Sequence, residues 1–294
     1  MGRSRPKRRA KAPDHREVIH HLNQRYHREF LRAERLQQSW WYRVIQKLKR
    51  LFQREQRPTQ IPLTMNPVTP SGRVSIVIPF RDQLGLLRDC IRSIRLSTYR
   101  NREIILVNND SRSASMLRYL RFAQRKGVPV VDCPEDFNFS LLCNRGAEAA
   151  NGDYLLFLNN DTIVLTPDWL EQLLAVALQS EVGVVGALLL YPDTTIQHAG
   201  MWKSRGGWDH IDRGKFETSR HPCAVQAVTG ACLMIARELF LEVGGFDESL
   251  PIENNDTDLC ERVQNQGLKV ALAPEAKLIH YESLTRGYSN GEAG

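Results

Sequence analysis

DYLLFLNNDTIVLTP, Asp153 to Pro167, is the stretch on which the fold of this chain turns. An apolar run from Tyr154 to Leu158 stops at Asn159-Asn160-Asp161-Thr162, and apolar character resumes at Ile163. A short run of this kind between polar residues predicts a strand buried on both faces of a parallel sheet. In such sheets ligands sit outside the carboxyl ends of the strands. Asp161 at that edge offers a carboxylate oxygen to a hard divalent cation, and Asn159 offers a neutral one. The same residues also suit a turn whose side chains bond their own backbone, and this segment alone leaves both readings open.

Working outward, four more apolar runs surround it: Val74 to Phe80, Glu103 to Asp110, Val128 to Pro134 and Val182 to Tyr191. Between them, Leu84 to Leu96, Ser113 to Arg125, Ser140 to Ala150 and Pro167 to Gln179 have the composition and spacing of amphipathic helices. This alternation predicts an α/β fold with right-handed crossovers, a mostly parallel Rossmann-like sheet and helices on both faces. No Gly-X-Gly-X-X-Gly follows the first strand, and no Gly-Lys-Ser/Thr loop is present, which argues against a dehydrogenase or a P-loop nucleotidase. Three strands end in polar residues, at Pro79-Phe80-Arg81-Asp82, Asn108-Asn109-Asp110-Ser111 and Asn159-Asn160-Asp161, and together they predict a ligand cleft.

Charge divides the chain. Residues 1–57 hold 17 Lys/Arg against 5 Asp/Glu, and the remainder holds 23 against 28. The basic character therefore belongs to an N-terminal arm, and the rest is a mildly acidic globule. Residues 1–13 read as disordered, and Asp14 to Gln56, free of Pro and Gly, reads as helix. Trp41, Val44, Ile45, Leu48, Leu51 and Phe52 form an apolar stripe, with Arg43, Lys47, Lys49, Arg50 and Arg54 off it. Such a helix suits peripheral membrane contact through Trp40 to Phe52, docking on the chain's own domain or a partner, or nucleic acid, in that order; no nucleic-acid partner is expected. His15, His20, His21 and His27 have no accompanying cysteine or paired carboxylate and read as a solvated face. Residues 58–72 are a Pro-rich linker.

No apolar run is long enough to span a bilayer, and no apolar core follows the basic N-terminus, so neither a spanning helix nor a secretory signal is expected. The six cysteines are scattered without a Cys-X-X-Cys pair, and they predict buried free thiols in a reducing cytoplasm.

VSIVIPF, ILVNNDS, FNFSLLCNRGAEAANGDYLLFLNNDT, VTGACLMIARELFLEVGGFDE, NNDTDLCERVQNQG and IHYESLTRG occur in that order. Over about Arg73 to Tyr288 this resembles the family 2 glycosyltransferases, most nearly the rhamnosyltransferase-like branch that builds bacterial surface polysaccharides. The resemblance implies the A-type glycosyltransferase fold. Residues 73–190 would be the nucleotide-sugar-binding half, and residues 191–294 the acceptor-binding and catalytic half. It implies inverting transfer from a nucleotide-sugar donor to a glycan or lipid-linked glycan acceptor, with Mn²⁺ or Mg²⁺ as cofactor.

Residue by residue, the resemblance places Pro79, Phe80 and Arg81 beside the nucleoside, with the second strand end, Asn108 to Asp110, beside the base. Asn108 stands where the family usually has aspartate. Asn138, Ser140 and Arg145 match the segment under the nucleotide, although Ser140 also suits a helix cap. Asn159-Asn160-Asp161 matches Asp-X-Asp, with Asp161 on the metal and one carboxylate replaced by Asn159. Thr229 and Gly230 would line the acceptor pocket, and IQHAGMW offers His198 and Trp202 to the sugar-site wall. Asp256 matches the general base that takes the acceptor's proton, while Asp258 fits either an acceptor-side role or the N-terminus of a helix. His280 would approach the metal and Arg286 the diphosphate. A nucleotidyltransferase, or an inactive glycan- or nucleotide-binding scaffold, is the rival reading.

Overall fold

The computed structural model describes residues 60–216 and 220–281. The arm with its Trp40 to Phe52 stripe, the four histidines within it, and Arg286 lie outside the described residues. No described helix is long and apolar enough to cross a membrane.

The apolar runs become strands. VSIVIPF forms β2 (Val74–Phe80), buried along its whole length. The Pro-rich segment before it adds β1 (Ile61–Pro62), a two-residue edge strand. Then come β3 (Arg102–Asn108), β4 (Val130–Asp132) and β5 (Tyr154–Leu158). Strand β2 pairs in parallel with both β3 and β5, and β3 in parallel with β4. Because these strands run the same way, Phe80, Asn108 and Leu158 end on one edge.

The intervening helices are α1 (Leu84–Arg95), α2 (Ala114–Arg125), α3 (Phe139–Glu148) and α4 (Trp169–Ala177). Alternation along the strands splits the core into two layers. Ile76 and Ile78 of β2 join Leu156 and Leu158 of β5, packing with Leu87, Ile94, Met116 and Trp169 on one face. Val77, Leu155 and Phe157 point the other way, towards Leu142, Cys143 and Phe246. Helix α3 approaches β2 closely at Gly146, where an added Cβ would lie 2.2 Å from Val77 Cγ1.

The second half of the chain completes the same sheet. After β6 (Thr162–Val164) and β7 (Val182–Leu190), the chain forms β8 (Ile196–His198) and a separate hairpin, β9 (Met201–Ser204) with β10 (Gly207–His210). Strands β11 (Cys223–Val225) and β12 (Cys232–Ala236) follow, then α5 (Arg237–Glu242), α6 (Asn255–Asn265) and the long β13 (Lys269–His280). The order across the sheet is β1-β11-β13-β7-β12-β5-β2-β3-β4. Strand β12 is antiparallel to both its neighbours, β5 and β7, so the sheet is mixed at its centre.

Strand β13 runs parallel to β7, and its register slips between Ala273 and Lys277, around Pro274. Proline within a strand belongs at such an irregularity, since it cannot donate to the ladder. Past the bulge, Leu278 to His280 pair antiparallel with Val164 to Thr162 of β6. Tyr281 N–H donates to the Asp161 carbonyl at 3.0 Å, which stitches the end of β13 to the Asn159-Asn160-Asp161 segment. All six cysteines are buried free thiols, as expected.

Candidate active site

A cleft of about 380 Å³ opens at the shared strand edge, lined by Pro79, Phe80, Arg81, Asn159, Asn160, Phe137, Phe139 and Ile252. The first five were predicted from the sequence. Phe137, Phe139 and Ile252 were not, although Phe137 and Ile252 are large apolar side chains left exposed, a pattern a ligand would explain. A larger groove of about 600 Å³ lies between α1 and α2, rimmed by Arg88, Arg92, Arg95 and Lys126. It gathers none of the predicted residues.

At the end of β5, Asp161 is buried. Its Oδ1 lies 3.3 Å from Nε2 of His280, itself buried at the end of β13. Asn159 Nδ2 stands 3.3 Å from the same ring nitrogen. Gln197 of β8 backs the ring: its Oε1 is 2.7 Å from His280 Nδ1, and its Nε2 donates to the His280 carbonyl at 3.3 Å. Beneath the motif, Thr162 Oγ1 donates to the Asn159 carbonyl at 2.8 Å. The nearby Cys90 thiol is pushed up to about 12, chiefly by burial, and so stays protonated. A local turn bond thus coexists with a buried Asp–His pair at this segment. Asn160 is buried too, and its Nδ2 has no acceptor among the described residues.

Among the described residues no group of three or more His, Cys, Asp or Glu is placed to hold a metal ion. Asp161 and His280 are two, with Asn159 beside them. That donor set fits an ion that takes one or two carboxylates and fills its remaining positions with water and substrate phosphate oxygens. It would not fit an all-protein structural zinc site.

The residues expected on the acceptor side are linked to this pair through Asn159. Asn159 N–H donates to the Ala231 carbonyl at 3.0 Å. One residue earlier, Gly230 N–H donates to Asp256 Oδ2 at 2.9 Å. Asp256 lies in the first turn of α6, where its Oδ1 also accepts from Thr257 N–H at 2.8 Å. Burial raises the Asp256 carboxyl above its ordinary value, and the bonds from Gly230 and Thr257 offset this only in part. Helix α6 is entered through Asn254 in the left-handed region, φ 63°, which turns the chain sharply ahead of the carboxylate. Gly230 also admits Phe139: an added Cβ there would lie 3.2 Å from that ring.

His198, expected as a wall of the sugar site, is buried and faces inward. Its Nε2 accepts from Thr229 N–H at 3.4 Å and its Nδ1 lies 2.9 Å from His210 Nδ1. Burial, reinforced by His210 and His280, holds it well below the usual imidazole range, so it is neutral. Trp202 is buried as well, and its Nε1 has no partner among the described residues. Asp258 pairs with Arg262 at 2.7 Å, one turn along α6.

On the other flank, Asn108 donates to Asp132 Oδ1 at 2.8 Å and accepts from Ser111 N–H at 3.1 Å. Asp110, at φ 47°, pairs with Arg112 at 2.7 Å. Asp82 and Gln83 both take positive φ. Burial opposes the Asp82 charge, but bonds from Ser113 and Arg112 N–H hold its carboxyl below the ordinary range and tie the first strand end to the second. Asn138 rather than Ser140 caps α3, accepting from Leu141 N–H at 3.0 Å, whereas Ser140 donates to the Leu250 carbonyl at 2.7 Å. Arg145 is not brought to the cleft: it pairs with Glu148 at 3.3 Å beside a separate shallow concavity with Asp132, Cys133 and Glu135.

Sequence comparison matches residues 75–244 to the model of glycosyl transferase family 2. The chain is 35% identical over 233 residues to the O-antigen biosynthesis protein RfbC of Myxococcus xanthus, covering 75% of this chain and 18% of that protein. It is 38% identical over 254 residues to the uncharacterized protein y4gI of Sinorhizobium fredii, covering 78% and 28% respectively. The chain thus spans under a third of the length of these relatives. Among solved structures, GalNAc-T7 with UDP, GalNAc and Mn²⁺ superposes with a TM-score of 0.62 at 19% identity, covering 71% of this chain and 43% of that one. The mannosyltransferase PcManGT of Pyrobaculum calidifontis, in complex with GDP-Man and Mn²⁺, gives 0.55 at 14% identity, covering 94% and 70%. Both likenesses are of fold, and it is the A-type glycosyltransferase fold that the sequence led us to expect. With more than half its length matched by the family model, the chain belongs to glycosyl transferase family 2.

Proposed function

We propose that this chain is an inverting glycosyltransferase that moves a sugar from a nucleotide-sugar donor to a hydroxyl of a glycan or lipid-linked glycan. The observation that supports this is the path from Asp161 and His280 to Asp256, which runs through two hydrogen bonds, Asn159 N–H to the Ala231 carbonyl and Gly230 N–H to Asp256 Oδ2. Residues 73–190 would hold the donor and residues 191–294 the acceptor. The nucleoside would lie in the cleft against Pro79, Phe80 and Arg81, with Asn108 and Asp110 towards the base. The Asn160 amide, which has no acceptor among the described residues, would donate to a phosphate oxygen.

In this reading Asp161 and His280 hold Mn²⁺ or Mg²⁺, consistent with Mn²⁺ in both solved neighbours. A divalent ion there would neutralise charge on the departing nucleoside diphosphate. Asp256 accepts the acceptor hydroxyl's proton as that oxygen bonds to the anomeric carbon, and the electrons of the breaking bond leave on the diphosphate oxygen. The raised Asp256 carboxyl suits a base that must hold a proton for part of the cycle. Thr229 and Gly230 would shape the acceptor pocket, with Asp258 holding α6 in register. Arg286, from sequence resemblance, would add a guanidinium near the diphosphate, and the Trp40 to Phe52 stripe would rest on a membrane surface next to a lipid-linked acceptor.

Release of nucleoside diphosphate from UDP-, dTDP- and GDP-sugars with Mn²⁺ tests the reading. Release that stops with EDTA and in Asp256→Asn supports it. Absence of both release and metal-dependent nucleotide binding across the panel would overturn it.

A further inference from the structure

Gln197, buried in β8 within the run IQHAGMW, is not among the residues lining the cleft, and its amide orientation is determined by its surroundings. Its Nε2 donates to the backbone carbonyl of His280 at 3.3 Å. A carbonyl only accepts, so the amide nitrogen faces that side and Oε1 the other. Oε1 lies 2.7 Å from His280 Nδ1 and, being an acceptor, requires the proton on Nδ1. In a neutral imidazole the lone pair is then on Nε2. That is the nitrogen 3.3 Å from Asp161 Oδ1, and 3.3 Å from the donating Nδ2 of Asn159. Gln197 therefore grips one residue at two points, its main chain and its ring.

We propose that Gln197 is a positioning residue that locks His280 in the Nδ1–H tautomer and aims its Nε2 lone pair at the cation shared with Asp161. The proposal rests on the reading of Asp161 and His280 as metal ligands. Outer partners of this kind fix a ligand's ring and raise its basicity, and losing one typically lowers metal affinity about 10–100-fold. A glutamine does this without adding a second buried anion beside Asp161, which a glutamate would.

The test uses the full chain, with Mn²⁺ titrated by EPR and histidine ¹⁵N shifts and long-range couplings read by NMR without metal. Wild type is expected to bind Mn²⁺ and to show His280 protonated on Nδ1. Gln197→Leu should weaken Mn²⁺ binding about 10–100-fold and move His280 towards the Nε2–H tautomer. Gln197→Glu, which keeps the acceptor, should retain the Nδ1–H tautomer. Wild-type His280 protonated on Nε2, or Gln197→Leu with unchanged Mn²⁺ affinity, overturns the proposal. Should Gln197→Leu fail to fold, the wild-type tautomer and Gln197→Glu decide the matter. Wild type that binds no Mn²⁺ overturns both the metal reading and the positioning role of Gln197, whereas Mn²⁺ binding with the wrong tautomer overturns only the latter.

Discussion

The Asn108 carboxamide donates to Asp132 Oδ1 at 2.8 Å, joining the carboxyl ends of β3 and β4. Asn108 occupies the position at which the family usually carries aspartate, and an aspartate there would put two carboxylates at hydrogen-bond distance. The acidic group at this edge is instead Asp132, one strand over. Asn108→Asp should lower stability at neutral pH, by about 1–3 kcal/mol, because Asn108 is buried and the change removes its donor to Asp132. Repulsion raises a carboxyl pKa in the folded state, so the loss is present at neutral pH and fades as the pair protonates in acid. Urea midpoints of both proteins at pH 7 and pH 4 check this; a gap that widens on acidification contradicts it.

Asp161→Asn keeps the side chain's shape and removes the charge beside His280. Mn²⁺ affinity should fall by at least about 100-fold, since Asp161 is the only carboxylate described at that point. EPR titration measures it, with EDTA-treated wild type as the reference.

Asp256 sits above its ordinary 3.8 because burial outweighs the hydrogen bonds of Gly230 and Thr257. Its ionised form therefore predominates only above that raised value, and kcat/KM should fall as pH drops through it. Asp256→Asn should lose about 10²–10⁴-fold in kcat and abolish that acidic limb while retaining Mn²⁺-dependent nucleotide binding. A variant within tenfold of wild type would remove Asp256 from the role of base.

Gly146 has no room for a side chain, with Val77 Cγ1 at 2.2 Å and Val107 Cγ2 at 2.9 Å from the position of a Cβ. Gly146→Ala should cost about 1–3 kcal/mol through overpacking. Adding Val77→Ala should recover part of that, because it empties the space the new methyl enters. Thermal denaturation of the two variants separates overpacking from a general loss of fold.

The strands and helices were legible because their signals are local. VSIVIPF and DYLLFLNND announce buried strands ending in polar residues, and the helices between them show their periodicity. The Asp161–His280 pairing was accessible only through family resemblance, since the two are far apart in the chain and the bulge at Ala273 to Lys277 sets how far β13 reaches. His198 drew attention for its chemistry, whereas nothing in the sequence marked its neighbour Gln197. Adjacent residues on a strand face opposite ways, and which of the two meets His280 depends on how β8 pairs with β7. Motif position alone could not show that Arg145 pairs with Glu148 on its own helix rather than lining the cleft.

Strand β12 lies between β5 and β7 although the chain reaches it only after both. A nascent chain that has emerged through residue 190 thus has an open edge on β5 and incomplete pairing on β7, a state prone to association. Its non-local pairings slow folding, and His280, the last residue of β13, is delivered after every other strand. The Asp161–His280 pair therefore forms only once β13 has been made, and a chain cut short before it would carry Asp161 without its partner imidazole.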